Sequence, residues 1–224
     1  GMDLPARLTA MGQSMGSTIG TPWAGVDPRL KGIILSGAGG MLVDIATNAI
    51  EPVQVKGVAE LALRLADDGD EVHLFHPALH AAQNLWDLVE PVAKANRVAA
   101  EPLPGIPPKH VLMTAGFRDG YFAPTSQAAM AVALGAPLVG DEVEPVLPDT
   151  LRLAGRETMG YPASRNLNDR TAGVLHYAAP NVNGHYVVFN QEGARFQYTC
   201  FAAGVGTPAG PQLLAPRGLD APCP

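Results

Sequence analysis

Three short apolar runs along the chain each end in small or polar residues, as buried parallel strands do at the carboxyl edge of a sheet. Ala6 to Met11 (ARLTAM) leads into Gly12-Gln13-Ser14-Met15-Gly16, and Gly32 to Leu35 (GIIL) leads into Ser36-Gly37-Ala38-Gly39-Gly40. His110 to Thr114 (HVLMT) leads into Ala115-Gly116-Phe117-Arg118-Asp119-Gly120. A weaker run, Gly173 to Tyr177 (GVLHY), stands ahead of a loop that contains His185. Helical patterns separate these runs. Met15 to about Ala24 is rich in small residues, which suits a helix packed closely on a sheet. Thr125 to Leu134 has Pro124 before it and Gly135 after it as start and stop signals. Gln191 to about Ala203 places Ala194, Tyr198, Phe201 and Ala202 at helical spacing. The alternation predicts an α/β fold: a parallel open sheet of about four strands, flanked by helices.

Two segments break the alternation. Met41 to about Pro108 is a long excursion with helical patterns at Val55 to Ala66 and Pro77 to Ala95, and Gly140 to Ala172 is punctuated by Pro and Gly. A helical insert above the carboxyl ends of the strands is placed to cover a site there as a lid, the plainer alternative being a packing layer. The chain therefore divides into a first core segment (1–40), a lid-like insert (41–106), the remainder of the core (107–206) and a Pro-rich tail (207–224).

Composition narrows the partners. The 224 residues are 47% hydrophobic and only 16% charged, with 25 Gly and 21 Pro that show no period, so many turns and long connections are expected. The net charge of −6 and the 15 scattered Lys and Arg leave no clustered positive footprint for nucleic acid or an anionic membrane surface. Two cysteines are too few for a disulfide scaffold or a metal cage, and no metal or cofactor is implied. Cys200 and Cys223 are either separate thiols or one bridge tying down the tail. The Pro-rich tail favours the bridge, and with it an oxidising, secreted or periplasmic setting. Gly1 before Met2 reads as an expression scar, so a native targeting segment is not expected to be visible.

The candidate chemistry lies where the runs end. Gly12-Gln13-Ser14-Met15-Gly16 matches the G-x-S-x-G pattern between a strand and a helix. A sharp turn there lifts Ser14 Oγ out of the sheet and puts the Met15 N–H at a helix N-terminus, where it can stabilise an oxyanion. The plain alternative is that Ser14 caps the helix. Asp119 follows the third strand on a loop that can turn toward a histidine, the alternative being a turn Asp beside Gly. Asp44, Asp141 and Asp149 are placed less favourably, and Glu142 or Glu144 would be fallback acids. His185, between Gly184 and Tyr186, sits on a loop free to serve as a general base. His73, His76 and His80 lie in the insert, whereas His110 and His176 lie in strands and read as core. The order Ser14, Asp119, His185 is that of a nucleophile–acid–histidine triad.

GQSMGSTIG (Gly12 to Gly20), PPKHVLMTAGFRDGYFAP (Pro107 to Pro124) and NGHYVVF (Asn183 to Phe189) together resemble the core motifs of bacterial α/β-hydrolase-fold esterases and lipases. The resemblance covers about residues 6 to 40 and 107 to 203. It implies a partial α/β-hydrolase fold with Ser14 as nucleophile, Asp119 as acid, His185 as base and the Met15 N–H as one oxyanion donor. It also implies hydrolysis of an ester or lipid through an acyl-enzyme. The departure is that Ser14 stands almost at the start. The earlier strands of that fold and the loop giving a second oxyanion N–H are expected on a preceding half of the same polypeptide, or the first strand's edge is covered by self-association. The competing classes are an inactive half-domain acting as a scaffold or binding module, and a phosphate-binding α/β domain using Gly37-Ala38-Gly39-Gly40. That run lacks a Walker lysine and the full G-x-G-x-x-G spacing.

Overall fold

The computed structural model describes residues 8–65 and 70–224. Its frame is a four-stranded, all-parallel sheet in the order β1 (Thr9–Gln13), β2 (Gly32–Ser36), β3 (His110–Gly116), β4 (Ala172–Tyr177). Neighbouring strands are in sequence order, with Gln13 opposite Ser36, Ser36 opposite Thr114, and Gly116 opposite Tyr177. Residues of β2, β3 and β4 are buried throughout, as a parallel sheet covered on both faces requires.

The strand side chains alternate between two cores. Ile33, Leu35, Val111, Met113 and Val174 pack with Ala24 of α1 (Met15–Ala24), Met130 and Leu134 of the helix Pro124–Leu134, and Leu147 and Leu151 of the helix Val146–Leu153. Ile34, Leu112, Leu175 and Tyr177 face the other way, against Val187, Val188, Ala194 and Phe201 of the last two helices, Val187–Asn190 and Glu192–Gly204. In chain order the helices are α1, α2 (Leu42–Asn48), α3 (Val55–Leu63), α4 (Pro77–Trp86), α5 (Val92–Ala95), α6 (Pro124–Leu134), α7 (Val146–Leu153), α8 (Val187–Asn190) and α9 (Glu192–Gly204). A parallel sheet with helices on both faces and helical insertions is the partial α/β-hydrolase-like fold expected from the sequence.

Several bounds differ from the pattern reading, each for a physical reason. The first strand lies two residues later than expected because Gly12 and Gln13 pair with Leu35 and Ser36, while Ala6 and Arg7 lie outside the described residues. β3 runs on to Gly116 because Ala115 and Gly116 pair with His176 and Tyr177. The expected helix from Pro77 to Ala95 is two helices, broken between Trp86 and Pro91. A proline has no N–H to continue the ladder and disfavours helical geometry in the residue before it. Within the segment that reads as punctuated, α7 forms despite Pro148, which sits in the first turn where its missing N–H would have had no acceptor.

The insert has a small core of its own: Ala46, Val72 and Leu79, with Val43, Ala59, Leu65 and Trp86 against them. It leaves Val58, Leu61, Phe75, Leu85 and Leu88 exposed, and α3 buries no residue. On the frame, β1 and β4 are the edge strands, β4 partly covered by Leu138 bridging Val174, and α1 beside β1 exposes Met15, Ile19 and Trp23 along one stripe. The tail is tied back by a Cys200–Cys223 disulfide from α9, by Thr171 Oγ1 donating to Pro211 O at 2.6 Å, and by Leu213 pairing with Ala163. No helix among the described residues is long and apolar enough to cross a membrane.

Candidate active site at the carboxyl ends of the strands

Ser14 stands at the junction of β1 and α1 with φ 55° and ψ −118°, a backbone conformation that an L-residue with a side chain rarely adopts. The junction is tight. A Cβ on Gly12 would lie 2.3 Å from Gly16 O and 2.7 Å from Ser17 N, so only glycine allows the chain to double back there. Ser17 Oγ fastens the turn, donating to Gly12 O at 2.7 Å and Ser36 O at 2.8 Å, and Ser14 N–H donates to Ser36 O at 2.9 Å. Ser14 precedes the helix without capping it through its side chain, contrary to the plain reading of a capping serine. Met15 is the first residue of α1, so its N–H has no intrahelical acceptor and points from the positive end of a ten-residue helix.

Asp119 and His185 meet directly. His185 Nδ1 donates to Asp119 Oδ2 at 2.9 Å and Oδ1 at 3.1 Å, with the two side chains 1% and 0% exposed. The carboxylate is held from behind: Oδ1 accepts from Tyr121 N–H at 2.8 Å and Phe122 N–H at 2.9 Å, and Oδ2 from Gln127 Nε2 at 3.4 Å. With its proton on Nδ1, the imidazole keeps a lone pair on Nε2, the tautomer a general base needs.

The loops bearing these two residues touch backbone to backbone. A Cβ on Gly116 would stand 2.1 Å from Gly184 O, and one on Gly184 would stand 2.3 Å from Phe117 O. Asn183 Oδ1 joins them, accepting from Gly120 N–H at 3.2 Å and His185 N–H at 2.9 Å. The insert is fastened to the same place, since Ile50 and Glu51 N–H both donate to Gly120 O, at 2.9 and 3.0 Å.

Gln13 links the serine to the histidine. Its Nε2 donates to His185 O at 2.8 Å, and its Oε1 accepts from Ser36 Oγ. Ser14 and the His185 loop are thus connected through one side chain, while no hydrogen bond joins Ser14 Oγ to the His185 ring among the described residues. Aromatic rings enclose the imidazole: Tyr121 stacks on it at 4.2 Å between centroids, with Tyr186 edge-on at 5.1 Å and Phe122 at 5.6 Å. Tyr186 Oη donates to Tyr121 Oη at 3.0 Å, and this contact, with burial, pushes the Tyr121 phenol up to about 12.

The residues that reading the sequence does not find are Gln13, Tyr121, Gln127 and Asn183. Gln13 and Asn183 act across 172 and 63 positions and the Tyr121 ring packs on the distant His185, so the apposition of loops reveals them, whereas Gln127 and the Tyr121 N–H hold Asp119 from 8 and 2 positions away without a local motif that marks them. The fallback acids are occupied elsewhere, Glu142 binding Arg152 and Thr158 and Glu144 capping α7, and the less favourably placed Asp44 binds Thr125 and Asn48. In the Gly37–Gly40 loop, a Cβ on Gly39 would stand 2.5 Å from Phe122 and one on Gly40 would stand 2.0 Å from Val92, so close packing accounts for these glycines. Among the described residues no group of three or more His, Cys, Asp or Glu could hold a metal ion.

No family model matches the chain, and no curated protein matches it. Among solved structures it is similar to acetyl xylan esterase 1 from Thermoanaerobacterium sp. JW/SL YS485, at 14% identity and a TM-score of 0.40, over 82% of this chain and 44% of that one. The chain thus spans less than half the length of that esterase.

Proposed function

We propose that this chain is a serine hydrolase of carboxylic esters, esterase- or lipase-like, with Ser14 as nucleophile, His185 as base, Asp119 as orienting acid and the Met15 N–H as an oxyanion donor. The observation that carries the reading is the buried Asp119–His185 pair, tied through Gln13 to a serine in a strained strand-to-helix turn. In this mechanism substrate binding brings Ser14 Oγ to His185 Nε2, a contact that commonly tightens only in the complex. His185 takes the hydroxyl proton as Oγ attacks the ester carbonyl, and the tetrahedral oxyanion forms against the Met15 N–H. Collapse expels the alcohol, protonated by His185. Water activated by the same ring then releases the acid from the acyl-enzyme.

A preformed oxyanion hole uses two donors, and one missing donor costs about 3 kcal/mol of transition-state stabilisation. The second donor and the cover for β1 would come from a preceding segment or a second copy. The apolar insert clamped to Gly120 would serve as a lid and acyl-chain wall, and the Cys200–Cys223 bridge supports an oxidising compartment.

A second reading, a hydrolase-like module that binds without turnover, is favoured by the edge position of β1 and the 71% exposure of Met15 at the proposed oxyanion hole. A fluorophosphonate probe separates the two. Stoichiometric labelling abolished by Ser14→Ala supports the hydrolase, and no labelling of the folded chain supports the binding module.

A further inference from the structure

The end of the sheet opposite Ser14 holds a cleft of about 460 Å³ that the hydrolase chemistry does not use. Lys31 just before β2, His110 at the start of β3, and Arg165, Asp169 and Arg170 from the loop before β4 line it, with Gly210 of the tail closing one side. Three permanent cations and one carboxylate converge there, in a chain whose net charge is −6. None of the three cations forms an ion pair among the described residues.

Neutral groups orient the guanidiniums instead. One terminal N–H group of Arg165 donates to Pro208 O at 3.0 Å and Ala209 O at 3.3 Å, and Arg170 Nε donates to Pro108 O at 3.0 Å. Carbonyls fix the direction of a guanidinium but leave its charge uncompensated. In the loop that carries both arginines, Asn168 and Asp169 at φ 47° and 58° form a two-residue turn between the paired Leu167 and Arg170, a place where Asn and Asp commonly take the left-handed region, and Arg165 stands at φ 49°.

His110 supplies a second, independent indication. The residue is only 7% exposed, and its Nδ1 accepts from Thr171 N–H at 3.0 Å. The neutral ring therefore carries its proton on Nε2, for which no protein acceptor exists among the described residues. That N–H borders the cleft itself, where this ring edge faces Gly210 in the wall: a Cβ there would stand 3.4 Å from Cε1 and 3.8 Å from Nε2. Burial, with Arg170 and Arg165 adding to it, holds His110 down to about 4, so at neutral pH the ring is a neutral donor.

We propose that this cleft binds a tetrahedral dianion, a phosphate group either free or carried on a small organic body. Two guanidinium forks, an ammonium and an imidazole N–H offer donors alone, and planar forks match the oxygen edges of a phosphate. The net charge of the lining, three cations against Asp169, corresponds to two negative charges. The volume lies in the range of small-molecule sites and leaves room beyond the anion itself. The site stands on the opposite side of the sheet from Ser14, so it does not depend on the hydrolase reading.

The test is calorimetric titration of the full chain at pH 7.5 and constant ionic strength with inorganic phosphate, sulfate and glycerol 3-phosphate, and sodium chloride as the control. Saturable one-site binding of phosphate is expected, weakened at least about tenfold by Lys31→Gln and by Arg170→Gln, with fluorophosphonate labelling of Ser14 unchanged. Lys31 makes no side-chain hydrogen bond or ion pair among the described residues, so its variant keeps the fold. Tighter binding of glycerol 3-phosphate than of inorganic phosphate identifies a phosphomonoester site, and equal binding identifies a free-anion site. Phosphate that behaves like chloride, or phosphate binding that Lys31→Gln leaves intact, overturns the proposal.

Discussion

Gln13 offers the most specific perturbation of the proposed mechanism, because it touches the histidine loop without belonging to the reacting groups. Its Nε2 donates to His185 O at 2.8 Å while its Oε1 accepts from the hydroxyl of Ser36, a fully buried residue. Gln13→Ala removes both contacts. The first is worth about 1 kcal/mol net, and leaving the buried Ser36 hydroxyl without this acceptor costs about 1–3 kcal/mol more. The sum, about 2–4 kcal/mol, lowers the Tm of a chain this size by about 4–15 °C. Loosening the tie between the Ser14 turn and His185 by about 1 Å costs on the order of 10²-fold in kcat, with KM little changed. Gln13→Glu is the sharper probe. It keeps an acceptor for Ser36 but sets a carboxylate oxygen against His185 O, so it should impair kcat at least as much as the alanine variant at a smaller cost in Tm. The assays are steady-state hydrolysis of a p-nitrophenyl ester, the rate of fluorophosphonate labelling, and thermal unfolding. Wild-type labelling and kcat in both folded variants would refute the claim that Gln13 positions the base.

Three further outcomes follow from other parts of the molecule. Asp119→Asn should preserve the fold while lowering kcat by about 10³–10⁴, since an amide can present an N–H to Nδ1 and select the wrong tautomer; near wild-type turnover would remove Asp119 from the mechanism. Reducing the Cys200–Cys223 bridge, which spans 23 positions, should cost about 3 kcal/mol on the loop-entropy estimate, and equal unfolding temperatures with and without reductant would contradict this. His110, faced by Arg165, Arg170, Lys31 and Asp169, titrates at about 4 in the folded state against 6.5 in a free side chain. The unfolded chain therefore takes up its proton first, and stability should fall by up to about 3 kcal/mol as pH drops from 6.5 to 4, with no contribution above 7. An unfolding pH profile that His110→Asn leaves unaltered would contradict that assignment.

What the sequence disclosed was governed by range. β2 to β4 are short apolar runs because both faces of each are covered, and α6 carries its own start and stop in Pro124 and Gly135, so local pattern sufficed for them. Ser14, Asp119 and His185 could be nominated because each follows a strand, and local pattern marks strand ends. The helix α2 was invisible, since its seven residues, about two turns behind a glycine-rich loop, are too few to set a helical period apart from a short apolar run. Pro145 and Pro148 masked α7, although a proline in a first turn forfeits nothing. The supports of the candidate site were out of reach altogether: Gln13 meets His185 across 172 positions, and Asn183 reaches Gly120 across 63. Neither residue has a local pattern that announces its role.

The central claim is that Ser14 is a nucleophile activated by His185. It is tested most directly by incubating the folded chain with a fluorophosphonate probe and locating the adduct by peptide mass spectrometry, beside Ser14→Ala and His185→Ala. The account predicts a single adduct on Ser14, absent in Ser14→Ala and formed at least about 10²-fold more slowly in His185→Ala. An unlabelled wild-type chain, or an adduct on another residue that persists in Ser14→Ala, would contradict it.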